Sequence, residues 1–305
     1  MVSLRFASKH FCSVMVFQTL PRRNGQSHLP IPRGKHIVGA TDLETENGLL
    51  LRCYYPVAIS ESSSDHFKSF SSWLPWLPSL EYADGYLRFK FSASIPLLPR
   101  VFRFLLCDPK CPTDGNAPVL IGDKPMPVII FSHGLGAMRT TYSILLTELA
   151  SQGNFVAAVE HKDGSASATR DGQGVWQFER KILPGENEYT VRNAQVTQRV
   201  EECESVYRLL CHLGGKSAVK EDLKLRKSPA AEKFVDAIAK AKLDLDKGCY
   251  ISGHSFGGAT ALKALCTSRY VALHFSVIIF SSCPCEAETA DVNYLELEVC
   301  VNVSR

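Results

Sequence analysis

The sequence predicts an α/β fold: one large domain on a mostly parallel, doubly wound sheet. Three observations predict it. Short apolar runs, PVIIFSHGLG (127–136), FVAAVEHKDG (155–164) and CYISGHSFGG (249–258), each end in glycine or polar punctuation, as buried parallel strands do. Helical patterns lie between these runs, and strands alternating with helices wind a parallel sheet. The chain's 305 residues, 45% of them apolar, suffice for one core of that size.

Taken in order, the first forty residues carry Arg5, Lys9, Arg22, Arg23, Arg33 and Lys35, and no acid precedes Asp42. Transit peptides share that bias, yet the apolar run FCSVMVFQTL is interrupted and no small-residue cleavage site follows it. Residues 1–34 are therefore expected to form a disordered extension, 35–282 the domain and 283–305 a divergent tail. YSILLTELASQG (142–153) reads as a helix stopped by Gly153. In VRNAQVTQRVEECESVYRLLCHLGG (191–215), Val196, Val200, Cys203, Tyr207 and Leu210 recur at helical steps and Gly214 ends the pattern.

The segment 87–106, LRFKFSASIPLLPRVFRFLL, mixes large apolar residues with Arg88, Lys90, Arg100 and Arg103. It reads either as a piece lying in a membrane surface or as a core helix with snorkelling arginines. Trp73 and Trp76 nearby favour the interfacial alternative. No run reaches the roughly 18 apolar residues of a membrane-spanning helix.

Acids and bases nearly cancel to a net charge of +3, with no Lys/Arg stripe, so a nucleic-acid partner is not expected. A neutral or zwitterionic substrate fits better. Eleven cysteines make no regular framework, which favours a reducing, cytoplasmic setting over secretion. Cys107 with Cys111, or Cys283 with Cys285, lack the second pair or the histidines of a zinc site, so neither metal nor cofactor is expected.

Gly253-His254-Ser255-Phe256-Gly257 is a G-x-S-x-G between a strand and the helical GATALKALC, the context of a nucleophile elbow. Glycines at 253, 257 and 258 would let strand and helix close up, leaving Ser255 at a helix N-terminus. The bland alternative is a helix-capping serine in a glycine turn. An acyl-transfer site also needs two oxyanion donors, and one falls on the backbone N–H of Phe256. FSHGLGA after the 127–136 strand offers Leu135 N–H as the other, with Gly134 and Gly136 leaving room for substrate.

FSHGLGAMRTTYS, EHKDGSASAT, VRNAQVTQRVEEC and GHSFGGATA occur in the order and spacing of the platelet-activating factor acetylhydrolases. KHIVGATDLETENGLLLRCYYP and WLPWLPSLEYADGY also resemble that family's N-terminal strands and aromatic segment. The family is a calcium-independent phospholipase A2 group with the α/β-hydrolase fold. The resemblance implies a serine esterase that removes the sn-2 acetyl, or a short or oxidised acyl group, from phospholipids. It implies Ser255 as nucleophile, Leu135 and Phe256 as oxyanion donors, a phospholipid substrate and peripheral contact with membrane or lipoprotein through 87–106.

The family's aspartate and histidine do not carry over. After Ser255 the sequence offers only His274 and Asp291, in the reverse of the hydrolase order. His274 reads as a strand histidine, His254 adjoins the serine but diverges from it, and His133 reads as a backbone orienter. A local replacement for the base is not expected, and His161, at the end of the 155–160 strand, is the best of poor candidates. Without its histidine a serine hydroxyl loses on the order of 10⁶ in turnover. The expectation is thus a C-terminally truncated or alternatively spliced chain whose sheet lacks its last strands, either an impaired esterase or a lipid-surface or partner binder. A serine hydrolase for another acyl substrate stays open.

Overall fold

The computed structural model describes residues 20–23, 26–58, 72–91, 96–105, 108–115, 117–215 and 224–267, and the strands 277–280 and 296–299. A two-residue ribbon, β1 (Arg22–Arg23) with β2 (Gln26–Ser27), opens the described chain. β3 (Val38–Glu44) and β4 (Leu50–Pro56) form an antiparallel hairpin in which Val38 faces Pro56 and Glu44 faces Leu50. Its turn closes because Thr45 Oγ1 and Asn47 Oδ1 both accept from Leu49 N–H, at 2.8 and 3.3 Å.

β5 (Trp73–Pro75), α1 (Leu80–Phe91), α2 (Leu98–Leu105) and β6 (Lys110–Gly115) lead into the central units. These are β7 (Met126–Ser132), α3 (Ser143–Ser151), β8 (Phe155–Glu160), the ribbon of β9 (Ala168–Arg170) and β10 (Trp176–Phe178), and α4 (Glu188–Leu213). α5 (Pro229–Lys240), β11 (Leu243–His254), α6 (Phe256–Thr267), β12 (Val277–Phe280) and β13 (Glu296–Val299) complete the order. α4 starts where Asn187 Oδ1 accepts from Thr190 N–H, and α5 where Ser228 precedes Pro229 and accepts from Ala231 N–H, both ordinary N-caps.

The main sheet has the order β13-β12-β11-β7-β8-β4-β3-β6-β5. β12, β11, β7 and β8 pair in parallel, and two antiparallel steps through β4 turn β3 and its parallel partner β6 back to the same direction. The sheet is therefore mostly parallel, in an α/β-hydrolase architecture with β4 reversed inside it and β5 and β13 reversed at its edges. Alternate side chains enter two cores. Val128, Ile130, Phe155 and Ala157 face α4, α5 and α6, whereas Ile129, Phe131, Val156 and Ala158 face α1 and α3. Burial on both faces is why these strands read as unbroken apolar runs.

Several expectations are corrected here. Packed structure begins before residue 35: His28 bridges Lys110, and Leu29 is buried in the second core. β12, in the run read as a strand from sequence, pairs in parallel with β11, and the divergent tail is not separate from the sheet, because its β13 pairs antiparallel with β12. Trp73 and Trp76 are buried, and Trp76 Nε1–H donates to Thr140 O at 2.9 Å, so neither is placed to anchor at a lipid surface. Among the described residues no helix is long and apolar enough to cross a membrane, and no group of His, Cys, Asp and Glu could hold a metal. Cys107, Cys283, Cys285, His274 and Asp291 lie outside the described residues.

Candidate active site

The parallel strands β7, β8 and β11 end side by side, with Ser132 in register with Gly253 on one flank and Val159 on the other. Their carboxyl ends are where ligands bind in sheets of this kind. Ser255 follows β11 and precedes α6, and it is exposed with φ +54°, a left-handed conformation costly for a residue with a Cβ. The turn can be this tight because Gly257 has no side chain: a Cβ there would lie 2.0 Å from Ser132 O. Ser255 thus sits at a tight turn from strand to helix.

The loop of residues 133–137, expected to carry one oxyanion donor, is tied at nearly every polar group. His133 O accepts from Arg199 Nη1 at 2.5 Å, and Gly134 N–H donates to Tyr142 Oη at 3.2 Å. Gly134 O accepts from Ala137 N–H at 3.2 Å and lies 2.8 Å from His133 Nδ1. Gly136 N–H donates to Ser165 O at 2.8 Å. Leu135 N–H, like Phe256 N–H at the start of α6, meets no acceptor among the described residues. A trans peptide points its N–H opposite its C=O, so fixing Gly134 O also fixes the direction of Leu135 N–H. The room that side chains at Gly134 and Gly136 would need is taken by Tyr142 Oη and the Phe89 ring.

None of the described histidines serves Ser255. Among the described residues Ser255 Oγ has no hydrogen-bond partner, imidazole or other. His254 Nδ1 lies 3.0 Å from Tyr142 Oη, and burial lowers this imidazole to about 4, so it stays neutral and accepts the phenolic proton. His133 accepts from His161 N–H through Nε2 at 3.2 Å, which leaves Nδ1–H as the donor to Gly134 O. Burial, then the Arg199 and His161 charges, hold His133 well below its ordinary value.

His161, the best of the poor candidates for a surrogate base, is committed elsewhere: Nε2 lies 2.8 Å from Ser132 Oγ and Nδ1 2.7 Å from Glu202 Oε2. Burial pushes Glu202 up to about 7, and Asp163 adds to the rise. A hydroxyl–imidazole–carboxylate chain therefore exists, but around a serine with no exposed surface, and His161 is equally buried. Arg199 Nη1 also reaches Ser132 Oγ, at 3.4 Å. The chain braces the ends of β7 and β8 against α4. Sequence reading missed it because Glu202 reads only as one acid on a long helix.

A profile described as platelet-activating factor acetylhydrolase, isoform II, matches residues 22–279. A platelet-activating factor acetylhydrolase of Canis lupus familiaris is 38% identical over 252 residues, covering 79% of this chain and 52% of that protein. One of Gallus gallus is 36% identical over 256 residues, 78% of this chain and 56% of its own length. A putative phospholipase A2 of Schizosaccharomyces pombe is 28% identical over 228 residues, 69% of this chain and 49% of that protein. The chain spans about half the length of the curated relatives it matches.

Proposed function

We propose, for a chain that belongs to the platelet-activating factor acetylhydrolase isoform II family, that the Ser255 site serves hydrolysis of the sn-2 acetyl, or short or oxidised acyl, ester of phospholipids such as platelet-activating factor. The observation that carries the reading is the elbow: an exposed serine at φ +54° where β11 meets α6. Ser255 Oγ would attack the ester carbonyl, and the carbonyl oxygen would take its negative charge between Leu135 N–H and Phe256 N–H, aided by the N-terminus of α6. Collapse expels the lysophospholipid alkoxide, which takes up the proton that Ser255 Oγ lost on attack, and water then cleaves the acyl-serine ester, releasing the acid and returning a proton to Ser255 Oγ. The base and its carboxylate are not among the described residues.

Access to lipid is assigned to α2 and its flanks. Phe91, Leu97, Val101 and Phe104 are exposed there, which suits a surface lying in phospholipid headgroups. Six free cysteines among the described residues, five of them buried, support a reducing compartment such as the cytoplasm.

The test is labelling by a fluorophosphonate together with release of acetate from platelet-activating factor, in this chain, in Ser255→Ala and in a chain extended to the relatives' full length. Labelling lost in Ser255→Ala, with acetate release restored by the extension, supports the reading. An extended chain that neither labels nor releases acetate would replace it with a lipid-surface binder. Release of long-chain but not acetyl groups would point to another acyl substrate.

A further inference from the structure

We propose that Arg199 is a positioning residue for the oxyanion hole: one buried guanidinium hydrogen-bonds the His133 carbonyl on the first donor loop and stacks on the side chain of Phe256, the second donor. The inference rests on the reading of Leu135 and Phe256 as donors. Arg199 sits on α4 with no exposed surface. Its edge is filled by acceptors: Nη1 donates to His133 O at 2.5 Å, Nη2 to Ser165 Oγ at 2.5 Å and Nε to Asp163 Oδ2 at 2.8 Å. Its face is used as well, since Cζ lies 4.6 Å from the Phe256 ring centroid.

Those contacts reach both donors through short, stiff connections. His133 O belongs to the peptide before Gly134, and that peptide's N–H is held by Tyr142 Oη, so both ends of the plane leading to Leu135 are pinned. Ser165 accepts from Arg199, and its carbonyl takes Gly136 N–H at 2.8 Å, so the far side of Leu135 is tied to the same guanidinium through one residue. Phe256 opens α6, and a ring stacked on Arg199 sets how that helix start sits against the loop. The two donors follow β7 and β11, 121 positions apart in sequence, and Arg199 contacts both segments.

The chemistry explains why arginine stands here. A planar fork supplies five coplanar donors and leaves two faces free to stack, whereas an ammonium offers a point charge. Asp163 offsets the charge, and neither partner of that pair has exposed side-chain surface. Burial raises the Asp163 carboxyl, but Arg199 and His161 outweigh it and hold the group below its ordinary value, so it pairs as a carboxylate. Removing one partner of such a pair is costly because the other stays buried and charged, so the test must not rest on Arg199→Ala alone.

The experiment compares wild type, Arg199→Lys and the charge-neutral double variant Arg199→Met with Asp163→Asn. Two readouts are taken: fluorophosphonate labelling of Ser255, resolved into amplitude, inhibitor affinity and limiting rate, and amide hydrogen exchange across 133–137 and 255–258. Expected for Arg199→Lys is full amplitude and unchanged affinity with a limiting rate lower by about 100-fold, the order of one lost oxyanion donor. Exchange should rise in both donor segments together, and the double variant should show the same pattern. An unchanged rate, a loss of amplitude only, or faster exchange in one segment alone would overturn the proposal. If wild type fails to label even when extended to the relatives' full length, the esterase reading fails, while the paired exchange comparison still decides whether Arg199 couples the two segments.

Discussion

At the scale of single residues, the site trades stability for geometry. Ser255 holds φ +54° with a side chain attached, a cost of order 1–3 kcal/mol. Ser255→Gly relieves that strain, so it should unfold at higher denaturant than Ser255→Ala by about 1 kcal/mol, after allowance for glycine's freer unfolded chain. Equal stabilities would show that the turn is relaxed. His254 predicts a pH effect. Its folded imidazole is lowered to about 4 by burial, against about 6.5 unfolded. A depressed folded value means stability present above pH 6.5 and lost as pH falls toward 4, up to about 3 kcal/mol from this group. In urea titrations across that window, His254→Gln should lose less than wild type, and parallel curves would refute the assignment. Ser255 was legible because an elbow is a local pattern. Arg199 was not, because its partners Asp163 and His133 lie 36 and 66 positions away.

At the scale of elements, the contact of α6 with β7 sets the elbow. A Cβ on Gly257 would lie 2.0 Å from Ser132 O and 3.0 Å from His133 O. Alanine in place of glycine ordinarily favours a helix by up to about 1 kcal/mol, but here the clash should reverse the sign. Gly257→Ala is expected to destabilise by about 2 kcal/mol or more and to slow labelling of Ser255, because the methyl must push α6 from the oxyanion loop. Calorimetry showing a raised melting temperature would contradict this. The helical steps of Val196, Val200, Cys203, Tyr207 and Leu210 correctly placed the buried face of α4. α5 escaped notice because Ala231, Phe234 and Ile238 are a sparse apolar stripe in a charged segment.

At the scale of the whole molecule, α2 presents apolar surface away from both cores: Val101 is 46% exposed and Phe104 80%. Such exposure argues against an ordinary core helix and for contact with lipid or another apolar surface. Each large apolar side chain moved from water contributes about 1.5–3 kcal/mol. Val101→Ser with Phe104→Ser should therefore weaken partition onto phosphatidylcholine vesicles by at least about 10-fold while leaving fluorophosphonate labelling of Ser255 in solution unchanged. Unaltered sedimentation with vesicles would remove α2 from lipid contact. The aromatic pair Trp73 and Trp76, residues of a type that favours the membrane interface, is buried within the domain. Composition shows that an aromatic residue is present, and only packing shows which side of it meets water.

By itself the sequence determined the alternation of strands and helices, the elbow at Ser255 and the loop that carries Leu135, because each is written in neighbouring residues through burial periodicity and glycine spacing. Tertiary structure alone decided the hydrogen-bond partners. It gave His161 to Ser132 and Glu202 rather than to Ser255, turned His254 toward Tyr142, and set Arg199 between the 133–137 loop and the start of α6. The physical reason is the sheet order, which places β7 between β8 and β11 and so brings Ser132, His161 and Ser255 to one edge. Which imidazole reaches which hydroxyl there depends on backbone direction and burial at the strand ends, quantities fixed only when α4 packs across them.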